Sequence, residues 1–169
     1  VLQRIALRLY DLRLRRQLAG ADLPQHVGLI IDGNRRWAKA AGMASPSDGH
    51  RQGAEHIWDV LEWCQAAAIR HVTIFVCSAE NLARRDDAEV AALMEIIEKV
   101  VVTRIATPGS AWQVHIAGLV DMLPDTTARA LKHAADDTSG RGTGGHVTLC
   151  VGYGGRQEIA EAVRALLTA

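Results

Sequence analysis

The chain has 169 residues, 49% of them hydrophobic, with 19 basic and 19 acidic side chains and a pI near 7.2. That length and apolar content suit one full core in a single domain, and zero net charge removes the long-range field on which nucleic-acid binding relies. Three scattered cysteines, Cys64, Cys77 and Cys150, each in an apolar stretch, fit reduced core thiols of a cytoplasmic protein better than disulfides or a zinc site. In chain order, residues 1–20 come first as a separate amphipathic helix. Leu2, Ile5, Leu9 and Leu12 lie on one side, Leu7, Tyr10 and Leu14 on another, and Arg4, Arg8, Asp11 and Arg15 run between them. Such a helix packs on its own domain or on a partner, the commoner use, or lies on an anionic surface as a peripheral membrane contact.

Residues 21–169 form the domain proper. Four β-rich runs are read as strands: His26 to Ile31, His71 to Ser78, Trp112 to Gly118 and His146 to Gly152. Between them Ala54, Ile57, Trp58, Leu61 and Cys64 recur at helical spacing, as do Val90, Leu93, Met94, Ile97 and Val101. A third helix follows Asp125, and a fourth shows Ile159, Val163, Leu166 and Leu167. The alternation predicts an α/β fold with a mostly parallel sheet flanked by helices. All strands then point their C-termini to one side, where ligands of open α/β sheets bind. Because the chain begins at Val1 and stops within a helical pattern at Ala169, a longer native protein is expected.

The first strand ends in Asp32-Gly33-Asn34-Arg35-Arg36-Trp37. A carboxylate can hold a divalent cation, Gly33 lets backbone amides approach an anion, and the guanidiniums of Arg35 and Arg36 add a fixed positive fork. Cation and guanidinium at one strand end point to a diphosphate. The second strand ends in Ser78-Ala79-Glu80-Asn81, followed by Arg84; these residues either orient a second anionic group or simply cap the next helix. His50, after Gly49, is a hydrogen-bond donor for phosphate or an ordinary surface histidine. Gly152-Tyr153-Gly154-Gly155-Arg156 has a phosphate-loop composition but neither GxGxxG nor the P-loop lysine.

The ordered motifs HVGLIIDGNRRWAKAAG, GH at 49–50, SAEN with Arg84, and GYGGRQEI resemble those of the cis-prenyltransferase, or undecaprenyl diphosphate synthase, family. The doubled arginine, Leu82 after SAEN and the N-terminal LRLYDLRLRRQL stretch are most similar to its short-chain Z-farnesyl diphosphate synthase branch. The resemblance implies a Mg²⁺-dependent transferase, a homodimer, that condenses isopentenyl diphosphate with an allylic diphosphate of geranyl or farnesyl type. Asp32 is then the essential acid for metal and diphosphate. Gly33, Asn34, Arg36 and His50 hold the allylic diphosphate, with Arg35 and Trp37 completing the binding set. Ser78 and Asn81 orient isopentenyl diphosphate and assist loss of its proton, supported by Glu80 and Arg84.

Three features depart from the family pattern. Met43 to Asp48 lacks an arginine, Leu82 stands for a tryptophan, and the family's C-terminal region is absent. Val76 and Leu82 are expected to shorten the apolar tunnel. Two other readings compete. An aspartate-nucleophile phosphatase would need an acid where Asn34 stands, and a noncatalytic partner subunit would fit the missing C-terminal region.

Overall fold

A computed structural model describes residues 2–85, 87–100, 104–141 and 144–168. Val101 and the side chain of Leu2, both expected on apolar helix faces, lie outside what it describes. The elements run α1 (Leu2–Leu18), β1 (His26–Ile30), α2 (Asn34–Ala40), α3 (Pro46–Ala66), β2 (His71–Ser78), α4 (Ala79–Arg84) and α5 (Asp87–Val100), then β3 (Trp112–Ala117), α6 (Asp125–Asp137), β4 (Gly145–Tyr153) and α7 (Gly155–Thr168). The strands form one wholly parallel sheet in the order β1-β2-β4-β3. His26, His71 and His146 stand level across it.

Strand alternation puts Val72, Ile74, Val114, Val147 and Leu149 on one face, where they share a core with Leu61 and Cys64 of α3, Leu93, Met94 and Ile97 of α5, and Leu131 and Ala134 of α6. The β-branched residues suit a pleated, buried surface and the helices cover it. Thr138, fully buried just past α6, joins that helix to the sheet. Its hydroxyl donates to the Ala134 carbonyl at 2.7 Å and accepts the Val114 N–H at 2.9 Å. All three cysteines are free and buried, and burial raises each thiol's pKa.

The opposite face is open among the described residues. Gly28 has nothing near it, and Ile30 is 79% exposed. Two sequence expectations change here. α7 forms, but its apolar residues Ile159, Val163, Leu166 and Leu167 face solvent. α1 forms as well, yet Ile5, Leu7, Leu9, Tyr10 and Leu12 are all exposed, so of the expected packing on its own domain or on a partner, the contact with its own domain is confined to its C-terminal end. There Leu14 and Leu18 border a groove with Leu23, Trp63 and Ala66.

Candidate active site

The site begins where β1 runs out. The Asp32 N–H turns back to the Ile30 carbonyl at 3.1 Å, and Gly33, at φ 95°, is the N-cap of α2. That left-handed conformation is cheap only for glycine. The Asp32 carboxylate accepts the Gly33 N–H through Oδ1, and its Oδ2 lies 3.6 Å from Arg36 Nη2. With 81% of its side chain exposed, it keeps most of its acceptor capacity for something else.

α2 is held by α3, which starts well before its apolar face does. Ser45 Oγ accepts the Ser47 N–H and the Asp48 carboxylate accepts the Ser45 N–H, a capping box with Pro46 in the first turn. One turn on, the glycines let the helices touch. A Cβ on Gly49 would come within 2.3 Å of the Asn34 carbonyl oxygen, and one on Gly53 within 2.6 Å of the Asn34 side chain. The pair therefore fixes Asn34 at the mouth of the site and places His50 beside it.

His50 meets a group that the sequence reading missed. Glu89 of α5 sets Oε1 at 3.6 Å from His50 Nε2, 3.6 Å from Arg85 Nε and 3.8 Å from Arg35 Nη1. His50, Arg85 and Glu89 are each less than a fifth exposed. Burial, followed by the Arg85 charge, lowers the His50 pKa from its ordinary 6.5, and Glu89 pulls the other way. His50 Nε2 and Arg85 Nη1 are buried with no hydrogen-bond partner among the described residues, which leaves polar capacity unspent beside the cleft.

These residues line two adjoining spaces. A cleft of about 590 Å³ has Asp32, Gly33, Asn34, Arg35, Arg36, His50, Asn81 and Arg85 in its wall. A smaller apolar cavity of about 70 Å³ lies beside it, walled by Ile57, Ile74, Leu93, Ile96, Ile97 and Ile105. Ile31, Asn34, His50, Val76 and Arg85 belong to both. Val76 reaches them through a β-bulge. The register slips between Phe75 and Cys77, which returns Cys77 to the core and sets Val76 apart.

Other candidates lie elsewhere. Ser78 is the N-cap of α4, its Oγ accepting the Asn81 N–H at 2.9 Å, and Ser78, Glu80 and Arg84 are not in the cleft wall. Trp37 borders a neighbouring groove with Gly49 and Trp58. The ends of β3 and β4 meet each other: Leu119 N–H donates to the Gly152 carbonyl at 3.3 Å and Tyr153 hydrogen-bonds to Glu158. The expected convergence of four strand ends is thus divided, with β1 and β2 forming the cleft. Among the described residues no three His, Cys, Asp or Glu side chains form a metal cluster. Asp32 offers a single hard oxygen donor.

Fold and cleft together define the class: a parallel α/β protein whose first strand ends carry a cationic cleft above an apolar cavity. Residues 30–169 match the family model described as "Putative undecaprenyl diphosphate synthase", and the chain belongs to that family. It is 59% identical over 160 residues to an isoprenyl transferase of Streptomyces fradiae, covering 94% of this chain and 62% of that protein. It is 47% identical over 165 residues to a (2Z,6E)-farnesyl diphosphate synthase of Mycolicibacterium smegmatis, covering 96% and 62%. Among solved structures, lavandulyl diphosphate synthase from Lavandula x intermedia, in complex with dimethylallyl diphosphate, superposes with a TM-score of 0.80 at 31% identity, over 86% of this chain and 61% of that one. The chain therefore spans about three fifths of the length of the relatives it matches.

Proposed function

We propose that this chain carries the diphosphate-binding portion of a cytoplasmic, homodimeric cis-prenyltransferase that condenses isopentenyl diphosphate with an allylic diphosphate to a short-chain Z-isoprenyl diphosphate. The bond between the allylic carbon and its diphosphate oxygen breaks. A new carbon–carbon bond forms to the terminal methylene of isopentenyl diphosphate, and a proton leaves as the cis double bond appears. The observation that carries the reading is that Asn34, His50, Val76 and Arg85 line both the polar cleft and the apolar cavity. A charged head suits the first, and the second gives an apolar tail its point of entry.

Asn34, Arg35, Arg36, His50 and Arg85, with Gly33 giving the close approach of backbone at the turn, hold the departing diphosphate, whose growing charge is met by groups already in place. Trp37 edges this group from the neighbouring groove. Asn81 and Ser78, at the end of β2, orient isopentenyl diphosphate and assist its deprotonation, and Glu80 and Arg84 support their turn. One exposed carboxylate without a protein cage suits Mg²⁺, which keeps waters and takes its other ligands from substrate phosphates; Asp32 would hold it. Magnesium, when bound, neutralises diphosphate charge and eases departure of the leaving group. Val76 borders a small cavity, which favours a short product, whereas Leu82 packs against the core without lining that cavity.

The test is incubation of the full-length protein with labelled isopentenyl diphosphate and geranyl or farnesyl diphosphate, with chromatography of the dephosphorylated products. A short Z-product that vanishes with Asp32→Ala is expected. Long polyprenyl products would overturn the short-chain reading, and undiminished turnover in the variant would overturn the role of Asp32.

A further inference from the structure

The N-terminal helix is the most one-sidedly charged part of the molecule. α1 carries Arg4, Arg8, Arg13, Arg15 and Arg16 against the single acid Asp11, in a chain whose 19 basic and 19 acidic residues cancel. Asp11 is already paired with Arg15 at 2.9 Å.

Its apolar residues divide into two sets. Leu14 and Leu18, 39% exposed each, border the groove toward Trp63 and Ala66. Ile5, Leu9 and Leu12 are 52%, 62% and 53% exposed. At about 100° per residue these three fall within one arc of roughly 60°, on a side away from Leu14 and Leu18. Arg8 stands at one margin of that arc, and Arg16 and Arg13 stand among and beyond its leucines. This is an apolar stripe set in guanidiniums, on an element that forms no ion pair with another element among the described residues.

We propose that α1 is a docking element for an anionic lipid surface, with Ile5, Leu9 and Leu12 as the edge that enters the interface and Arg4, Arg8, Arg13 and Arg16 as the headgroup contacts. Charge complementarity selects this occupant. A second copy of α1 laid against the stripe would bring arginine onto arginine, whereas an anionic bilayer satisfies the whole set and accepts the exposed side chains between them. The helix has 17 residues, and no helix among the described residues is long and apolar enough to cross a membrane. It therefore lies on the surface. Long arginine stems suit this, since they lie along apolar surface and keep their heads at the headgroups. The proposal does not depend on the transferase reading.

The experiment is sedimentation of the full-length protein with vesicles of phosphatidylcholine alone and of phosphatidylcholine with a third phosphatidylglycerol. Binding to the anionic vesicles only, weakening with added salt, is expected. Each arginine removed lowers the partition about fivefold, so Arg4→Glu with Arg8→Glu reduces it more than tenfold. Ile5→Ser with Leu9→Ser also reduces it, and neither pair alters turnover of soluble substrates, since α1 lies outside the cleft. Failure to bind either vesicle, equal binding to both, or unchanged binding in the two double variants overturns the proposal. So does a change of oligomeric state in those variants at constant vesicle binding, which would assign the stripe to a protein contact.

Discussion

Glu89 holds two guanidiniums and an imidazole around one oxygen, at 3.6, 3.8 and 3.6 Å. Removing its charge leaves the buried Arg85 and His50, and the more exposed Arg35, facing one another without a counter-charge. Glu89→Gln is therefore expected to cost about 1–3 kcal/mol of stability. Because an added anion supplies the missing charge, pyrophosphate should raise the melting temperature of the variant more than that of the wild type. Equal melting temperatures without pyrophosphate would contradict the arrangement. His50 gives a second handle. Its folded pKa is held below 6.5 by burial and Arg85, so below pH 6.5 the unfolded chain takes the proton first and stability falls. Above that pH both states are neutral and the effect disappears. Thermal melts of wild type and His50→Gln should keep a constant difference above this window and show a steeper acid decline for the wild type. An NMR titration of His50 at or above 6.5 in the ligand-free protein would refute it.

At the level of elements, the site depends on how closely α2 approaches α3. Gly49→Ala inserts a Cβ 2.3 Å from the Asn34 carbonyl oxygen and 2.9 Å from the Ala38 Cβ. Backbone cannot move aside as a flexible side chain can, so α2 shifts and carries Asn34 with it. Overpacking of this kind costs about 1–3 kcal/mol, and a displacement near 1 Å in a positioned group can cost about 100-fold in rate. The variant should fold and bind diphosphate while losing most of kcat; wild-type kinetics would show that the contact is incidental. The same elements explain what could be read from the sequence. Strands were legible to within about a residue because β-branched runs bounded by glycine and polar turns have few alternatives. α3 was read only from Ala54 on, since its first turns bury little and are set by the Ser45–Asp48 cap rather than by periodicity. α2 and α4, with 7 and 6 residues, are too short to show a period. Glu89 was hidden because its partners Arg35 and His50 come from other elements, and a polar position beside Val90 in a helix looks solvated until the fold is assembled.

For the whole molecule, a parallel sheet is ordinarily covered on both faces, and here the helices α3, α5 and α6 cover one. Stability should follow that asymmetry. Val147 and Val151 of β4 and Ile74 of β2 are fully buried at the centre of the sheet, whereas α7 buries none of its residues and presents Ile159, Leu166 and Leu167 to solvent at 68%, 79% and 82% exposure. Few buried apolar contacts mean low local unfolding free energy. Periodicity alone could not distinguish these cases, because an apolar stripe records that a face is meant to be covered and not by what. Hydrogen exchange on this 169-residue polypeptide should therefore rank β2 and β4 as most protected, with α7 and α1 exchanging near the rate of unstructured chain. Protection of α7 equal to that of β4 would mean that Ile159, Val163, Leu166 and Leu167 are covered, and would overturn this ranking.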